Sequence, residues 1–154
     1  MAKEQSKSGQ GGQHVRDVMT PNPECVTEKS SLRDVARIMK DKDTGVVPVV
    51  EDKKIIGLIT DRDIVVRGLA EGRDLGSASV RDLMTKNVRS VREDATVNEV
   101  IALMSNAEIR RVPVVNSRDE IVGILSLGDI ASDTNLDGKV GKAVEDISQA
   151  PPNN

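Results

Sequence analysis

One stretch of this sequence is written twice. Val15-Arg16-Asp17-Val18-Met19-Thr20 returns as Val80-Arg81-Asp82-Leu83-Met84-Thr85, an offset of 65 positions, and the same offset carries Val47-Pro48-Val49-Val50 onto Val112-Pro113-Val114-Val115. Past Glu51-Asp52-Lys53-Lys54 the offset grows by one, because its counterpart Asn116-Ser117-Arg118-Asp119-Glu120 is a residue longer. An insertion between two apolar runs is where a turn absorbs it. Ile56-Gly57-Leu58-Ile59-Thr60-Asp61-Arg62-Asp63-Ile64 then matches Val122-Gly123-Ile124-Leu125-Ser126-Leu127-Gly128-Asp129-Ile130. A chain that repeats itself over roughly 60 residues folds as two copies of one unit, each too small to bury a comfortable core alone. Stacking the two by their sheets buries a shared one.

The elements of each copy follow from its apolar spacing. Leu32, Val35, Ala36 and Met39 recur at helical period behind Ser31, a capping residue, and Val97, Val100, Ile101 and Met104 do the same behind Thr96. Val46 to Val50 and Ile55 to Ile59 are short β-branched runs joined by a charged turn, which predicts a strand pair. A second helix begins after Thr60 and after Ser126, with Asp63 and Asp129 three residues on to complete a capping box. The predicted order in each copy is short strand, helix, strand, strand, helix, an α+β class. The expected boundaries are a flexible tail over 1–13, the first repeat over 14–70, a Gly- and Ser-rich linker over 71–79 and the second repeat over 80–133. A C-terminal segment over 134–154 follows, with a short helix that sets Val140, Val144 and Ile147 on one face and a frayed end.

Composition removes several function classes. The 154 residues include no Phe, Trp or Tyr, so the chain has no aromatic platform on which exposed bases could stack. A net charge of -3 supplies no basic stripe to displace counterions from a duplex. Nucleic acid is not an expected partner. The single Cys25 and single His14 cannot form an intramolecular disulfide or a zinc site between them; Cys25 is expected to be a small packed residue, with a redox role as the alternative. No run approaches the roughly 18 apolar residues of a membrane span, and the N-terminus has no apolar signal core, so the expectation is a cytoplasmic protein. Neither a dinucleotide fingerprint nor a Walker loop is present, and no nucleophile–base set is in view. An enzyme is not expected, and no metal or required cofactor is either.

Paired Val-Pro-Val-Val strands, a following Gly-x-x-Thr/Ser-x-x-Asp and the Val-Met-Thr lead-in together resemble the cystathionine β-synthase (CBS) domain, here as a tandem pair, the Bateman module. The likeness covers roughly Val15 to Ser132. It implies two repeats packed sheet to sheet with pseudo-two-fold symmetry, and a module commonly paired into a flat homodimer. Independently of the resemblance, a helix start near Thr60 presents unpaired N–H groups to an anion, Arg62 adds charge, and Asp63 can accept from vicinal hydroxyls. Phosphate beside a ribose diol describes a nucleotide; a plain capping box is the alternative.

The resemblance assigns the ribose to Asp63 and Asp129 and a phosphate or ribose contact to Thr60 and Ser126. It sets Val46, Val47 and Pro48, with Val112 and Pro113, as the walls of the base slot, simple core packing being the alternative for each. The expected first set is therefore Gly45, Val46, Val47, Pro48, Thr60, Arg62 and Asp63. The expected second set is Val88, Arg110, Arg111, Val112, Pro113, Ser126 and Asp129. Leu127-Gly128 stands where the first copy has Asp61-Arg62, so Arg110 or Arg111 is expected to supply the missing charge, a guanidinium fork being suited to phosphate. The implied function is a non-catalytic regulatory or sensor module that binds an adenine nucleotide, AMP above all and ADP or ATP next, in the cleft between the repeats. The alternatives are a protein-interaction adaptor with vestigial sites, acting on an unidentified target in trans, or a binder of an S-adenosyl compound or a dinucleotide.

Overall fold

The computed structural model describes residues 13–132; the expected N-terminal tail up to residue 12 and the C-terminal helix and frayed end lie outside them. In chain order the elements are α1 (Val15–Val18), β1 (Thr20–Pro21), α2 (Leu32–Lys42), β2 (Val46–Glu51), β3 (Lys54–Thr60), a π-helix (Asp63–Leu69), α3 (Val80–Leu83), β4 (Thr85–Lys86), β5 (Val91–Arg92), α4 (Val97–Ala107), β6 (Arg111–Val115), β7 (Ile121–Ser126) and α5 (Leu127–Ala131). The class is α+β, as the sequence predicts. Two short helices, α1 and α3, stand ahead of the lead-in strands where only a short strand is expected.

The chain forms two compact units, and neither is one repeat. One joins residues up to Asn22 to Arg89–Arg118 and the segment from Val122 on; the other joins Pro23–Val88 to Asp119–Ile121. The lead-ins are exchanged. Val15, from the first lead-in, is fully buried among Val97, Val100, Met104, Val112, Leu125 and Ile130 of the second repeat. Val80, Leu83 and Met84, from the second lead-in, pack with Val26, Leu32, Val35, Val47, Val49 and Ile59 of the first. We call these the Val15 unit and the Val80 unit.

In the Val80 unit, β2, β3 and β4 form a sheet in that order. β2 and β3 are antiparallel with Val46 opposite Thr60, Val47 opposite Ile59 and Val49 opposite Gly57, after which a bulge puts Val50 opposite Ile55. Asp52 and Lys53 turn the hairpin with φ of 52° and 69°, the left-handed pair that a two-residue turn needs to match strand twist. β2 is the terminal strand of the three, where Pro48 removes no bond from a central ladder. Its outer side takes only the bridge to Val26, whose N–H donates to the Pro48 carbonyl at 3.0 Å.

The Val15 unit holds a four-stranded sheet in the order β1, β7, β6, β5. Here β6 is interior, and the proline is accommodated because pairing with β5 begins only at Val114. The longer turn before β7 absorbs the extra residue, with Asp119 at φ 63°.

Both long helices start on the expected caps. The Ser31 hydroxyl accepts the Asp34 N–H at 3.1 Å; Thr96 and Glu99 form a reciprocal box, with bonds of 3.2 and 2.8 Å. All four apolar residues expected on α4 are buried. On α2 only Leu32 and Val35 are, while Met39 is half-buried and Ala36 is exposed. That corrects the expected face: a methyl group adds little to the apolar stripe, so the helix rolls toward the larger Ile38 and Met39, which pack on the core.

Candidate functional site

Each unit by itself assembles a lead-in strand, a Val-Pro strand and a Thr/Ser–Asp box. In the Val80 unit, Thr60 closes β3. Its hydroxyl accepts the Asp63 N–H at 3.0 Å, and the Asp63 carboxylate accepts the Thr60 N–H at 3.0 Å. Pairing brings Val46 opposite Thr60 on one side and sets Thr85 opposite Leu58 on the other. The box is thus flanked by the valine strand and by the lead-in.

The glycine of Gly-x-x-Thr/Ser-x-x-Asp is explained by the lead-in. A Cβ on Gly57 would lie 2.6 Å from the Thr85 carbonyl oxygen, a clash that excludes any side chain. Its counterpart Gly123 faces β1 in the same way: Pro21 pairs with it, and the Met19 side chain fills the space a Cβ would take.

Asp63 is buried, 9% exposed, and its carboxylate has three kinds of donor. Besides the Thr60 amide, the Thr85 hydroxyl lies 3.4 Å from both oxygens, and Arg67 Nε lies 3.8 Å from Oδ1. Arg67 Nη1 also donates to the carbonyls of Leu83 and Met84, at 3.4 and 3.2 Å. A buried carboxylate without such partners would be costly. From Asp63 the helix widens into i→i+5 bonding, shown by the Ala70 N–H on the Val65 carbonyl at 2.8 Å.

Gly45 admits a neighbouring side chain rather than open backbone: a Cβ there would come within 2.9 Å of Asp61 Oδ2. The Gly45 carbonyl accepts the Asp61 N–H at 3.0 Å, and Asp61 Oδ1 accepts the Arg62 N–H at 2.8 Å. Asp61 therefore adds its own negative charge at the helix start that Arg62 was expected to make attractive to phosphate. Arg62 is exposed. Val46, Val47 and Pro48 are buried, and the Thr44 hydroxyl donates to the Val46 carbonyl at 3.2 Å.

In the Val15 unit the box is Ser126 with Asp129, at 3.0 Å in both directions. The Leu127 N–H donates to the Arg110 carbonyl at 2.8 Å, matching the Asp61–Gly45 bond, but Leu127 brings no carboxylate. Thr20, the counterpart of Thr85, is exposed and makes no hydrogen bond to Asp129. Arg110 and Arg111 are half-buried, with no ion-pair partner among the described residues. Val112 and Pro113 are buried beside them on β6. Val88, expected in this second set, is grouped with the Val80 unit instead, because it follows β4, which pairs with β3.

Sequence reasoning passed over Thr85, Arg67 and Asp61. The signal for Thr85 was present, since the Met-Thr lead-in is part of the repeat; Arg67 has no counterpart of its own kind, Asp133 standing at that place. His14, at the expected start of the first repeat, bridges to Thr96, and its backbone N–H donates to Asp17 at 3.2 Å to start α1. Burial first, and then Glu24, push the Cys25 thiol up, and the thiol donates to the Pro23 carbonyl at 3.3 Å. Among the described residues no group of three or more His, Cys, Asp or Glu could hold a metal ion, and no helix is long and apolar enough to cross a membrane.

Comparison with known proteins places this geometry. The Bacillus subtilis (strain 168) protein YlbB is 36% identical over 137 residues, covering 88% of this chain and 91% of its own. Hypoxic response protein 1 of Mycobacterium tuberculosis is 37% identical over 118 residues, 76% of this chain and 82% of its own. The crystal structure of Hypoxic Response Protein I, with two coordinated zinc ions, matches with a TM-score of 0.70 at 35% identity over 77% of this chain and 97% of that one. The CBS domain pair of MJ0100, in complex with 5-methylthioadenosine and S-adenosyl-L-methionine, matches at 0.69 with 30% identity over 77% and 93% of the two chains. CBSX2 in complex with AMP matches at 0.66 with 26% identity over 78% and 94%. The CBS domain model fits residues 15–69 and again 80–133. The chain belongs to the CBS-domain family and carries the domain as a tandem pair.

Proposed function

We propose that this protein is a non-catalytic sensor module that binds an adenine nucleotide, with AMP as the first choice, at the Thr/Ser–Asp boxes of its two units. The observation that carries this reading is the twofold occurrence, within single units, of a carboxylate fixed by a hydroxyl-capped helix start beside a buried Val-Pro strand. A carboxylate so placed can accept from a ribose diol, the capping hydroxyl and Arg110 or Arg111 can meet phosphate, and the aliphatic strand can cover an adenine face. AMP on CBSX2 and two adenosyl compounds on the MJ0100 pair support adenosine as the shared chemistry. The latter favours a second reading, an adenosyl ligand without phosphate, in which the arginines are idle. Val65, Val66 and Leu69, apolar and 53%, 40% and 63% exposed, support a homodimer formed through the π-helix.

Equilibrium dialysis tests the ligand directly. With no Trp or Tyr in the chain, bound adenine is read by its absorbance with little protein background. Saturable uptake of AMP is the expected result. Uptake of S-adenosylmethionine alone would favour the second reading, and uptake of neither would leave the module as a protein-interaction adaptor.

A further inference from the structure

The two boxes are equal in sequence pattern and unequal in structure. A carboxylate offers about four acceptor positions on its two oxygens. Asp129 spends one on the Ser126 N–H, and it has no other hydrogen-bond or ion-pair partner among the described residues. At Asp63 the Thr60 N–H takes one, the Thr85 hydroxyl reaches both oxygens at 3.4 Å, and the Arg67 guanidinium stands 3.8 Å from Oδ1. Asp63 is also the one buried polar residue of the described chain. Arg67 is fixed in turn by the Leu83 and Met84 carbonyls, so the donors that hold Asp63 are held themselves.

We propose that the two sites are filled in order: the Asp129 site takes the adenosine ligand first, while the Asp63 site is latched by the chain's own Thr85 and Arg67. A ribose diol offered to Asp63 competes with the Thr85 hydroxyl and the Arg67 charge for a buried carboxylate, whereas the same diol meets acceptor positions at Asp129 that no described residue but Ser126 takes. The latch lies between the π-helix and the second lead-in, so a ligand that opens it at high concentration also frees β4 from Asp63. The module then reports two concentration ranges with one kind of ligand. This inference rests on the nucleotide reading above and adds to it the identity of the working site.

The test is equilibrium dialysis of the full chain against AMP, comparing the native protein with Asp129→Asn, with Asp63→Asn and with the double variant Thr85→Val/Arg67→Gln. The native protein is expected to take up one AMP per chain in a first saturating step that Asp129→Asn removes. The double variant is expected to take up a second AMP per chain, with affinity raised about tenfold at the Asp63 site. A gain of that kind cannot come from misfolding, which protects the result even if Asp129→Asn folds poorly. Two equal sites in the native protein, or a first step lost in Asp63→Asn and kept in Asp129→Asn, overturn the inequality and leave the nucleotide reading standing. Absence of uptake by all variants overturns the nucleotide reading itself, and the order of filling with it.

Discussion

The hydroxyl of Thr85 lies 3.4 Å from each carboxylate oxygen of Asp63, although 22 positions separate the two residues in sequence. The bond joins the lead-in of one repeat to the Thr–Asp capping box of the other, inside a single unit. Replacing the hydroxyl with a methyl in Thr85→Val leaves Asp63 with the Thr60 amide and Arg67, so the expected loss is that of one hydrogen bond, about 1 kcal/mol of stability. Chemical denaturation measures it; an unchanged midpoint would show that the contact contributes nothing.

Gly57 and Gly123 occupy equivalent places and predict unequal costs. Alanine at Gly57 meets a backbone carbonyl, that of Thr85 at 2.6 Å, which cannot move without breaking β3–β4 pairing. At Gly123 the obstacle is the flexible end of the Met19 side chain. Gly57→Ala should therefore cost about 2–3 kcal/mol, the upper part of the range for overpacking, and Gly123→Ala about 1 kcal/mol. Thermal melts of the two variants side by side give the comparison, and a reversed order would contradict the role assigned to the lead-in strands.

Asp82 carries a pH dependence. The Ser79 backbone N–H, which donates to its carboxylate at 3.0 Å, is the chief cause that holds the group below its usual range. A carboxyl group whose pKa is lower folded than unfolded contributes stability above its unfolded pKa, and that contribution fades as pH falls through the folded one. Asp82→Asn is expected to lower stability at neutral pH and to flatten its decline below about pH 4. Parallel acid-side profiles for the two proteins would refute it.

At Cys25, burial and Glu24 raise the thiol, and the thiolate is the reactive species. Alkylation by iodoacetamide at pH 7 should run slower than in the urea-unfolded chain and speed up as the pH is raised. Fast labelling of the folded protein at neutral pH would revive the redox alternative.

The exposed Val65, Val66 and Leu69 bear on assembly. Leu69→Asp places a charge in the middle of that apolar surface without touching either buried core. The expected outcome is a shift from dimer to monomer in light scattering after size exclusion, with the melting transition of the unit retained. A dimer that persists would move the interface elsewhere.

Much of this was legible in the residues. The hairpin follows from its β-branched runs, the one-residue insertion falls in the turn, and Ser31, Thr96, Thr60 and Ser126 cap the helices that their spacing marks. A repeat announces that two copies of a motif exist, but not which copy each segment packs on: Val15 and Val80 are each followed by the same Arg-Asp pair, and only three-dimensional packing assigns each to the other repeat's core. The π-helix was illegible for a related reason. Gly68 lies under Leu75 and Leu83, where a Cβ would come within 2.7 and 3.1 Å, so the widened turn is set against residues 7 and 15 positions away. At the site, chemistry local to the Thr–x–x–Asp pattern was readable, and so in principle was Arg67, one helical turn from Asp63; Thr85 was not, since it reaches Asp63 from 22 positions away through tertiary structure.

The exchange of lead-ins turns a duplication into a commitment. Either half, expressed by itself, would keep its helices and hairpin but leave a hole where Val15 or Val80 had been, and would carry its own lead-in with no surface to close. Fragments made by cutting within 71–78 should recover the native fold only when mixed, each lending the other its missing segment. Deleting one copy therefore damages the other as well, and the two repeats can diverge in sequence, as Arg67 and Asp133 have, without being free to separate.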